Sequence, residues 1–131
     1  MTQETPTRSG TVPSYVSSKL RHRDLWLASG ITTTSSWIHS DELPPDECSA
    51  MWDRYRSEIG EAEAFVLYVE PKDNLKGCML EMGIAFERSI PIVIVWDGPI
   101  AMLATIVGTI VHHESVTVVG SIEEAERSLT V

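Results

Sequence analysis

The sequence has few basic residues for its length. Its 131 residues include 10 Lys and Arg against 19 Asp and Glu, which gives a net charge of −9. Proteins contact the phosphates of nucleic acids mainly through Lys and Arg, so this deficit argues against a nucleic-acid-binding surface. It still permits a small phosphorylated ligand, which needs only a few local donors. We therefore predict no nucleic-acid partner.

Cysteines and long apolar runs are also scarce. The two cysteines, Cys48 and Cys78, do not form a metal-binding spacing, and two are too few for a disulfide framework. No apolar run approaches the roughly 18–20 residues that span a membrane. The N-terminal residues 1–14 lack the apolar segment of a secretory signal. These absences predict a cytoplasmic protein with reduced thiols and no membrane partner.

Motifs for metals and dinucleotide cofactors are missing as well. His112 and His113 are adjacent, so in a strand their side chains would point to opposite sides, and no acidic residue stands at a supporting spacing. Gly30 stands alone after an apolar run and therefore does not form a glycine-rich phosphate loop. We predict neither a metal nor a cofactor.

Hydrophobic residues make up 43% of the chain and occur in short runs that alternate with helical patterns. The apolar runs predict strands at 25–28, 64–69, 90–96 and 116–119. Helices are predicted at 47–61, 77–88, 101–107 and 121–129, with Asp46 and Ser121 as the caps of the first and last. Met51, Tyr55, Ile59 and Ala62 give the first helix its core face.

This alternation predicts the fold class and the domain organisation. Apolar strands separated by helices indicate an α/β fold with a small doubly wound parallel sheet, Rossmann-like (flavodoxin-like), of about four to five strands. Residues 1–23 are predicted to be a flexible N-terminal tail and approach segment, and residues 24–131 a single domain. A basic cluster in this approach segment, at 19–23, could be solvated or could contact an anion.

Two segments are predicted to lie where such folds bind ligands, beyond the carboxyl ends of the strands. They are residues 28–37, after the first predicted strand, and 70–81, after the second. The stretch 31–40 is rich in hydroxyl groups. It could form a further strand, because it is rich in β-branched residues, or a ligand-binding loop.

Glu81 is the strongest candidate for chemistry. It is a lone carboxylate in the apolar helical run 77–86, and a charge with such neighbours is costly to bury unless it is paired or faces a cleft. Gly77 lies four residues earlier on the same helical face, so its missing side chain leaves room for a ligand. Gly83, inside the helix, predicts close packing or ligand approach.

Three segments carry a resemblance to a known family. LWLASG at 25–30, AEAFVLY at 62–68 and KGCMLEMGIA at 76–85, followed by IPI at 90–92, resemble nucleoside 2-deoxyribosyltransferases and related nucleotide N-glycosidases. The family has a first strand ending in small residues and an alanine–acidic step into the second strand. A glycine-x-x-x-glutamate-x-glycine helix then precedes the third strand. The resemblance covers about residues 24–119.

The resemblance implies that Glu81 is a nucleophile. Such a carboxylate attacks the anomeric carbon and forms a glycosyl-enzyme intermediate, which a second base or water then resolves. In some members an aromatic hydroxyl orients the nucleophile, and the matching position is Trp26, which has no oxygen. Tyr55 stands where the family has an acid, and Leu75 stands where it has a second one, with Asp73 close by. The family also implies a homo-oligomer whose neighbouring subunits complete the site.

The predicted function is N-glycosidic bond cleavage or deoxyribosyl transfer on a nucleoside or nucleotide. The alternatives are a non-catalytic binding module for a nucleotide-derived ligand and a structural or interaction subunit. Hydroxyl groups after the first predicted strand could bind sugar or phosphate. Trp37 could stack on a base or form an edge of the core, and Asp53 and Arg56 could face the cleft or solvent. The predicted substrate-binding set is Ser29, Gly30, Thr32, Thr33, Ser35, Trp37, Asp53, Asp73 and Gly77.

Overall fold

The computed structural model describes residues 10–131. Four strands form one sheet: β1 (Ser14–Ser17), β2 (Ala64–Tyr68), β3 (Ile92–Val95) and β4 (Val116–Val119). The α-helices are α1 (Arg23–Ala28), α2 (Cys48–Gly60), α3 (Lys76–Glu87), α4 (Ile100–Val107) and α5 (Ile122–Leu129). Short 3-10 turns occupy Leu20–His22, Trp37–His39, Pro45–Glu47 and Thr109–His112. No helix in this part of the chain is both long and apolar enough to cross a membrane.

The sheet is parallel throughout, with the strand order β1-β2-β3-β4. A single parallel bridge between Ser14 and Thr33 adds a minimal fifth position at the outer edge of β1. The chain therefore moves outward from β1 to Thr33 and then returns to β2, so the winding reverses beside β1. This arrangement confirms the predicted small doubly wound α/β fold.

Helices cover both faces of the sheet, and side-chain contacts show which helix lies where. Tyr15 on β1 stacks on Phe65 of β2 and meets Tyr55 of α2 edge-on, which places α2 on that face. Glu81 of α3 reaches the same face through its bond to Tyr15. Tyr68, on the opposite face, contacts the ring of Trp26 in α1. The apolar strands are buried between these layers, as parallel sheets require.

The first strand lies where the sequence predicts a tail. The predicted strand at 25–28 is wrong, because these residues belong to helix α1, in which only Trp26 is buried and Leu25 and Leu27 stay exposed. A run of four apolar residues does not distinguish a helix from a strand. Strand β1 is instead Ser14–Ser17, fully buried, so the predicted tail is wrong for residues 14–17. Residues 1–9 of that predicted tail lie outside the described residues.

The later elements agree with the sequence patterns. Strands β2, β3 and β4 and helices α2 to α5 lie within three residues of the predicted bounds. Ser121 caps α5 by accepting a hydrogen bond from the Glu124 backbone, as predicted. Asp46 does not cap α2, because it belongs to the 3-10 turn that precedes this helix. His112 and His113 follow α4 in a turn rather than in a strand.

Gly83 does not have the close neighbour that the sequence predicts. A Cβ atom added there would meet nothing within 4 Å, because the residue faces away from the sheet. Gly108 also has open space around it, but its φ of 89° lies in the region that L-residues rarely adopt. Substitution with alanine therefore tests helix propensity at Gly83 and backbone strain at Gly108.

We expect Gly83→Ala to stabilise the protein by about 0.5–1 kcal/mol, because alanine loses less backbone entropy in a helix than glycine does. Gly108→Ala is the matched comparison and should destabilise the fold, because alanine is strained at that φ. Urea unfolding of both variants measures the two effects. A loss of stability in Gly83→Ala would show that its surroundings are tighter than described.

Candidate functional site

Glu81 lies in the middle of α3 and points at the carboxyl-terminal end of β1. Its side chain is buried, with 7% relative exposure. The Tyr15 hydroxyl donates a hydrogen bond to Oε2 at 3.0 Å, and the Ser17 hydroxyl donates one to Oε1 at 2.6 Å. Tyr15 and Ser17 are two residues apart on one strand, so both side chains point to the same face of the sheet. Strand β1 thus holds both carboxyl oxygens.

Within residues 10–131, Glu81 has no salt bridge, so no cation of these residues neutralises its carboxylate. Burial raises its pKa, the hydrogen bonds from Ser17 and Tyr15 lower it, and the charge of Glu58 raises it slightly, so the pKa of Glu81 is about 7. The carboxyl group therefore changes its charge near neutral pH, which is typical of functional sites and is rare for a structural glutamate.

A cavity of about 450 Å³ opens beside Glu81 on the α2 and α3 face. This volume falls in the range of small-molecule sites. Trp37, Trp52 and Tyr55 supply aromatic rings to its wall. The remaining lining residues come from the segment after β1, the 40–43 loop, α2 and α3: Ser18, Lys19, Leu20, Ser40, Asp41, Glu42, Leu43, Cys48, Met51, Gly77, Cys78 and Glu81.

Three of the predicted site residues meet at this cavity: Glu81, Gly77 and Trp37. Gly77 lies in the first turn of α3, and a Cβ there would make ordinary van der Waals contact with the Trp52 ring at 3.7 Å. Trp37 is both a core and a cavity residue, because its ring is 8% exposed and its indole NH donates to the Val16 carbonyl at 2.7 Å.

Asp73, predicted as a substrate ligand, instead binds other residues of the protein. Its carboxyl group accepts hydrogen bonds from the Arg21 guanidinium and from the Glu70 backbone, and the His22 ring lies 3.2 Å from both oxygens. Burial raises the pKa of Asp73, but the bonds from Glu70, Arg21 and His22 outweigh it and hold the pKa below its ordinary value. Its side chain is not exposed, so it positions the segment after β1 and does not face the cavity.

The remaining predicted binding residues lie elsewhere. Ser35 is buried behind β1 and bonds to the Val16 backbone, and Thr33 forms the edge bridge with Ser14. Asp53 is 71% exposed and pairs with Arg56 at 3.0 Å, which confirms the solvated face. Thr32 and Gly30 are exposed, and Ser29 lines a different cavity. None of these six residues lines the cavity beside Glu81.

The sequence reasoning missed the two hydroxyls that hold Glu81. Tyr15 and Ser17 fall in the segment predicted as a tail, because β1 contains two serines in four residues and has a proline before it. The alternation of Tyr15, Val16 and Ser17 is the available signal, since it puts an aromatic hydroxyl and a small hydroxyl on one face. Tyr15, and not Trp26, therefore brings an aromatic hydroxyl to Glu81.

A second cavity, of about 520 Å³, lies on the opposite face between α1 and α5. Its wall includes four acidic residues, Glu70, Asp97, Glu123 and Glu126, together with Ser29. Within residues 10–131, no group of three or more His, Cys, Asp and Glu side chains is placed to hold a metal ion. The cavity beside Glu81 therefore combines more of the features expected of a reactive site.

Comparisons of the chain with protein-family models, with curated proteins and with solved structures found no match.

The raised pKa of Glu81 predicts how stability depends on pH. Between its ordinary pKa of 4.5 and about 7, the folded protein holds a proton that the unfolded chain has released. The free energy of unfolding therefore falls as pH rises through this window. At about 1.36 kcal/mol for each pH unit, the loss is about 3 kcal/mol.

Glu81→Gln removes this titration. We expect its stability relative to the wild type to rise by about 3 kcal/mol between pH 4.5 and 7.5. Glu87→Gln, at the exposed end of the same helix, should follow the wild-type curve. Urea unfolding at a series of pH values measures the difference. Parallel curves for Glu81→Gln and the wild type would show that Glu81 is not desolvated.

Proposed function

We propose that the protein cleaves the N-glycosidic bond of a nucleoside or nucleotide, with Glu81 as the nucleophile. The observation that carries this proposal is a buried carboxyl group that accepts hydrogen bonds from two hydroxyls, that has no salt bridge to any of residues 10–131, and that faces a cavity of about 450 Å³. The resemblance of residues 76–85 to the glutamate helix of nucleoside deoxyribosyltransferases supports the same chemistry.

The hydrogen bonds leave Glu81 able to react. Each carboxylate oxygen can accept more than one bond, so the bonds from Tyr15 and Ser17 leave a lone pair on each oxygen. In the reaction, one oxygen bonds to the anomeric carbon while the bond from that carbon to the base breaks. Water then releases the sugar by hydrolysis, or a second base receives it by transfer.

The aromatic walls of the cavity suit a nucleoside. The Trp52 and Tyr55 rings meet edge-on with centroids 5.8 Å apart, and Trp37 lines the same cavity. Aromatic side chains stack on planar bases through their faces. Ser18, Ser40 and Lys19 supply polar groups that could bind sugar hydroxyls or a phosphate.

We also propose a cytoplasmic location. The two cysteines, Cys48 and Cys78, are free thiols that line this cavity, and free thiols are typical of reducing compartments.

Glu81→Gln should lower base release by about a thousandfold or more, because the amide is a poor nucleophile. Glu87→Gln is the control and should keep the wild-type rate. The assay incubates a panel of nucleosides and nucleotides with enzyme, with and without an acceptor base, and detects free base and transfer products by chromatography. Wild-type kcat/KM should rise with pH to a plateau above about 7, as Glu81 ionises.

Full turnover in Glu81→Gln would remove the mechanism. If a nucleoside or nucleotide raises the melting temperature of the wild type but no base is released, the result would instead support the alternative function, a non-catalytic binding module.

We further propose a homo-oligomer formed through the outer face of α3. Leu80 is 56% exposed and Phe86 is 40% exposed on this helix, with Gly83 between them. The helix carries Glu81 on its inner face, so a second copy packed on the outer face would support the helix that holds the nucleophile. Exposed apolar side chains grouped on one element are typical of association surfaces.

Light scattering after size-exclusion chromatography should give a mass at least twice the 14.5 kDa of one chain. Replacing both Leu80 and Phe86 with Glu should shift the mass to that of one chain, because charge opposes the burial of this face. Leu27→Glu, on α1, should leave the mass unchanged. A monomeric wild type at micromolar concentration would contradict this proposal.

A further inference from the structure

The cavity beside Glu81 has a negative lining. Asp41, Glu42 and Glu81 bring three carboxyl groups to its wall, and Lys19 brings one ammonium group. None of these four side chains takes part in a salt bridge within residues 10–131. The exposed Asp41 and Glu42 outnumber Lys19 even when Glu81 is protonated, so the balance of charge favours a positively charged ligand over a negatively charged one.

The aromatic wall adds a second feature that favours a cation. Trp37, Trp52 and Tyr55 line the same cavity as the three carboxyl groups. Tryptophan and tyrosine faces attract cations through the negative charge of their π systems, most strongly in desolvated sites. A flat ring that carries a positive charge could therefore stack on an aromatic face and at the same time approach the carboxyl groups.

Few groups in the cavity can protonate a leaving base. Burial raises the pKa of Tyr55 and raises that of Cys78 to about 11, so the phenol and the thiol beside Glu81 are weak acids at neutral pH. Tyr15 is already bonded to the Glu81 carboxyl group. A neutral base needs a proton to leave readily, whereas a cationic base needs none.

On the basis of the proposed glycosidic cleavage, we propose that the preferred substrates are nucleosides whose base carries a positive charge, such as pyridinium ribosides and N7-alkylated purine nucleosides. Glu81 forms a bond to the anomeric carbon, and the electron pair of the breaking carbon–nitrogen bond neutralises the ring. The base leaves uncharged. Water then attacks the anomeric carbon and displaces Glu81, so each hydrolysis yields sugar, neutral base and one proton.

The same substrate would help to ionise its nucleophile. Desolvation is the largest factor that keeps Glu81 protonated near neutral pH, and no cation of the described chain compensates it. A positive charge in the adjacent cavity favours the carboxylate form. A neutral nucleoside gives no such compensation and removes water from the site as well, so it favours the unreactive protonated form.

The test compares nicotinamide riboside and 7-methyladenosine, which are cations, with adenosine and inosine, which are neutral. For each compound, kcat/KM is divided by the rate of uncatalysed hydrolysis at the same pH, because cationic glycosides are intrinsically labile. We expect this ratio to be at least about tenfold higher for the cations. A pH-stat should record one proton released for each cationic substrate hydrolysed and none for each neutral one.

The double variant Asp41→Asn, Glu42→Gln tests the role of the negative lining. It should lower kcat/KM for nicotinamide riboside by about tenfold and leave that for inosine within about twofold. Asp46→Asn is the matched control, since Asp46 is exposed in the neighbouring turn and does not line the cavity. An equal effect of the double variant on both substrates would contradict a charge-based preference.

The outcomes separate this inference from the proposed function. The ratio of kcat/KM to the uncatalysed rate could be equal or greater for the neutral nucleosides than for the cations. That result would overturn the cationic preference and leave the glycosidase function in place. No cleavage of these four compounds or of any other nucleoside or nucleotide in the panel, or cleavage that persists at the full rate in Glu81→Gln, would overturn the proposed function itself.

Discussion

A buried carboxyl group that has no salt bridge within residues 10–131 is the central constraint on this structure. Glu81 accepts hydrogen bonds from the hydroxyls of Tyr15 and Ser17, and no cation of the described residues compensates its desolvation. Such an arrangement costs stability whenever the group is ionised. A fold that needed only a stable helix at this position would place an apolar residue there. The cost is understandable if the charge has a use, which is the physical reason for proposing Glu81 as the nucleophile.

The doubly wound topology makes this arrangement possible. Strand β1 lies next to the point where the winding reverses, and ligands of doubly wound folds bind beyond the carboxyl ends of the strands at such a point. Tyr15 and Ser17 project from β1 towards α3, and the cavity occupies the space beyond them. The hydroxyls are thus supplied by the sheet, the carboxyl group by a helix, and the aromatic wall by α2 and the loop before it.

How far the sequence predicts this molecule depends on whether the deciding interactions are local. Strands β2 to β4 and helices α2 to α5 follow from apolar runs and caps, and Glu81 is evident because it interrupts an apolar helix. Strand β1 is not evident, because two of its four residues are serines and two contacts that fix it are distant in sequence: Ser17 with Glu81, and the Val16 backbone with Ser35. Because the sequence predicts the first strand at 25–28, it also predicts the binding loop directly after it, at 28–37, and most of these residues lie away from the cavity.

Asp73 shows that the two faces of the sheet are coupled at this site. It binds Arg21 and His22, which directly follow the cavity-lining segment 18–20. The His22 ring packs edge-on against the Tyr68 ring, with 5.0 Å between the ring centroids. Trp26, in turn, donates to the Ser18 hydroxyl at 2.9 Å. These contacts are made mainly on the α1 face, but they fix a segment that lines the cavity on the other face. The basic cluster at 19–23 therefore does not act as a unit, because Arg21, which is 58% exposed, and the buried His22 bind Asp73, whereas Lys19 lines the cavity.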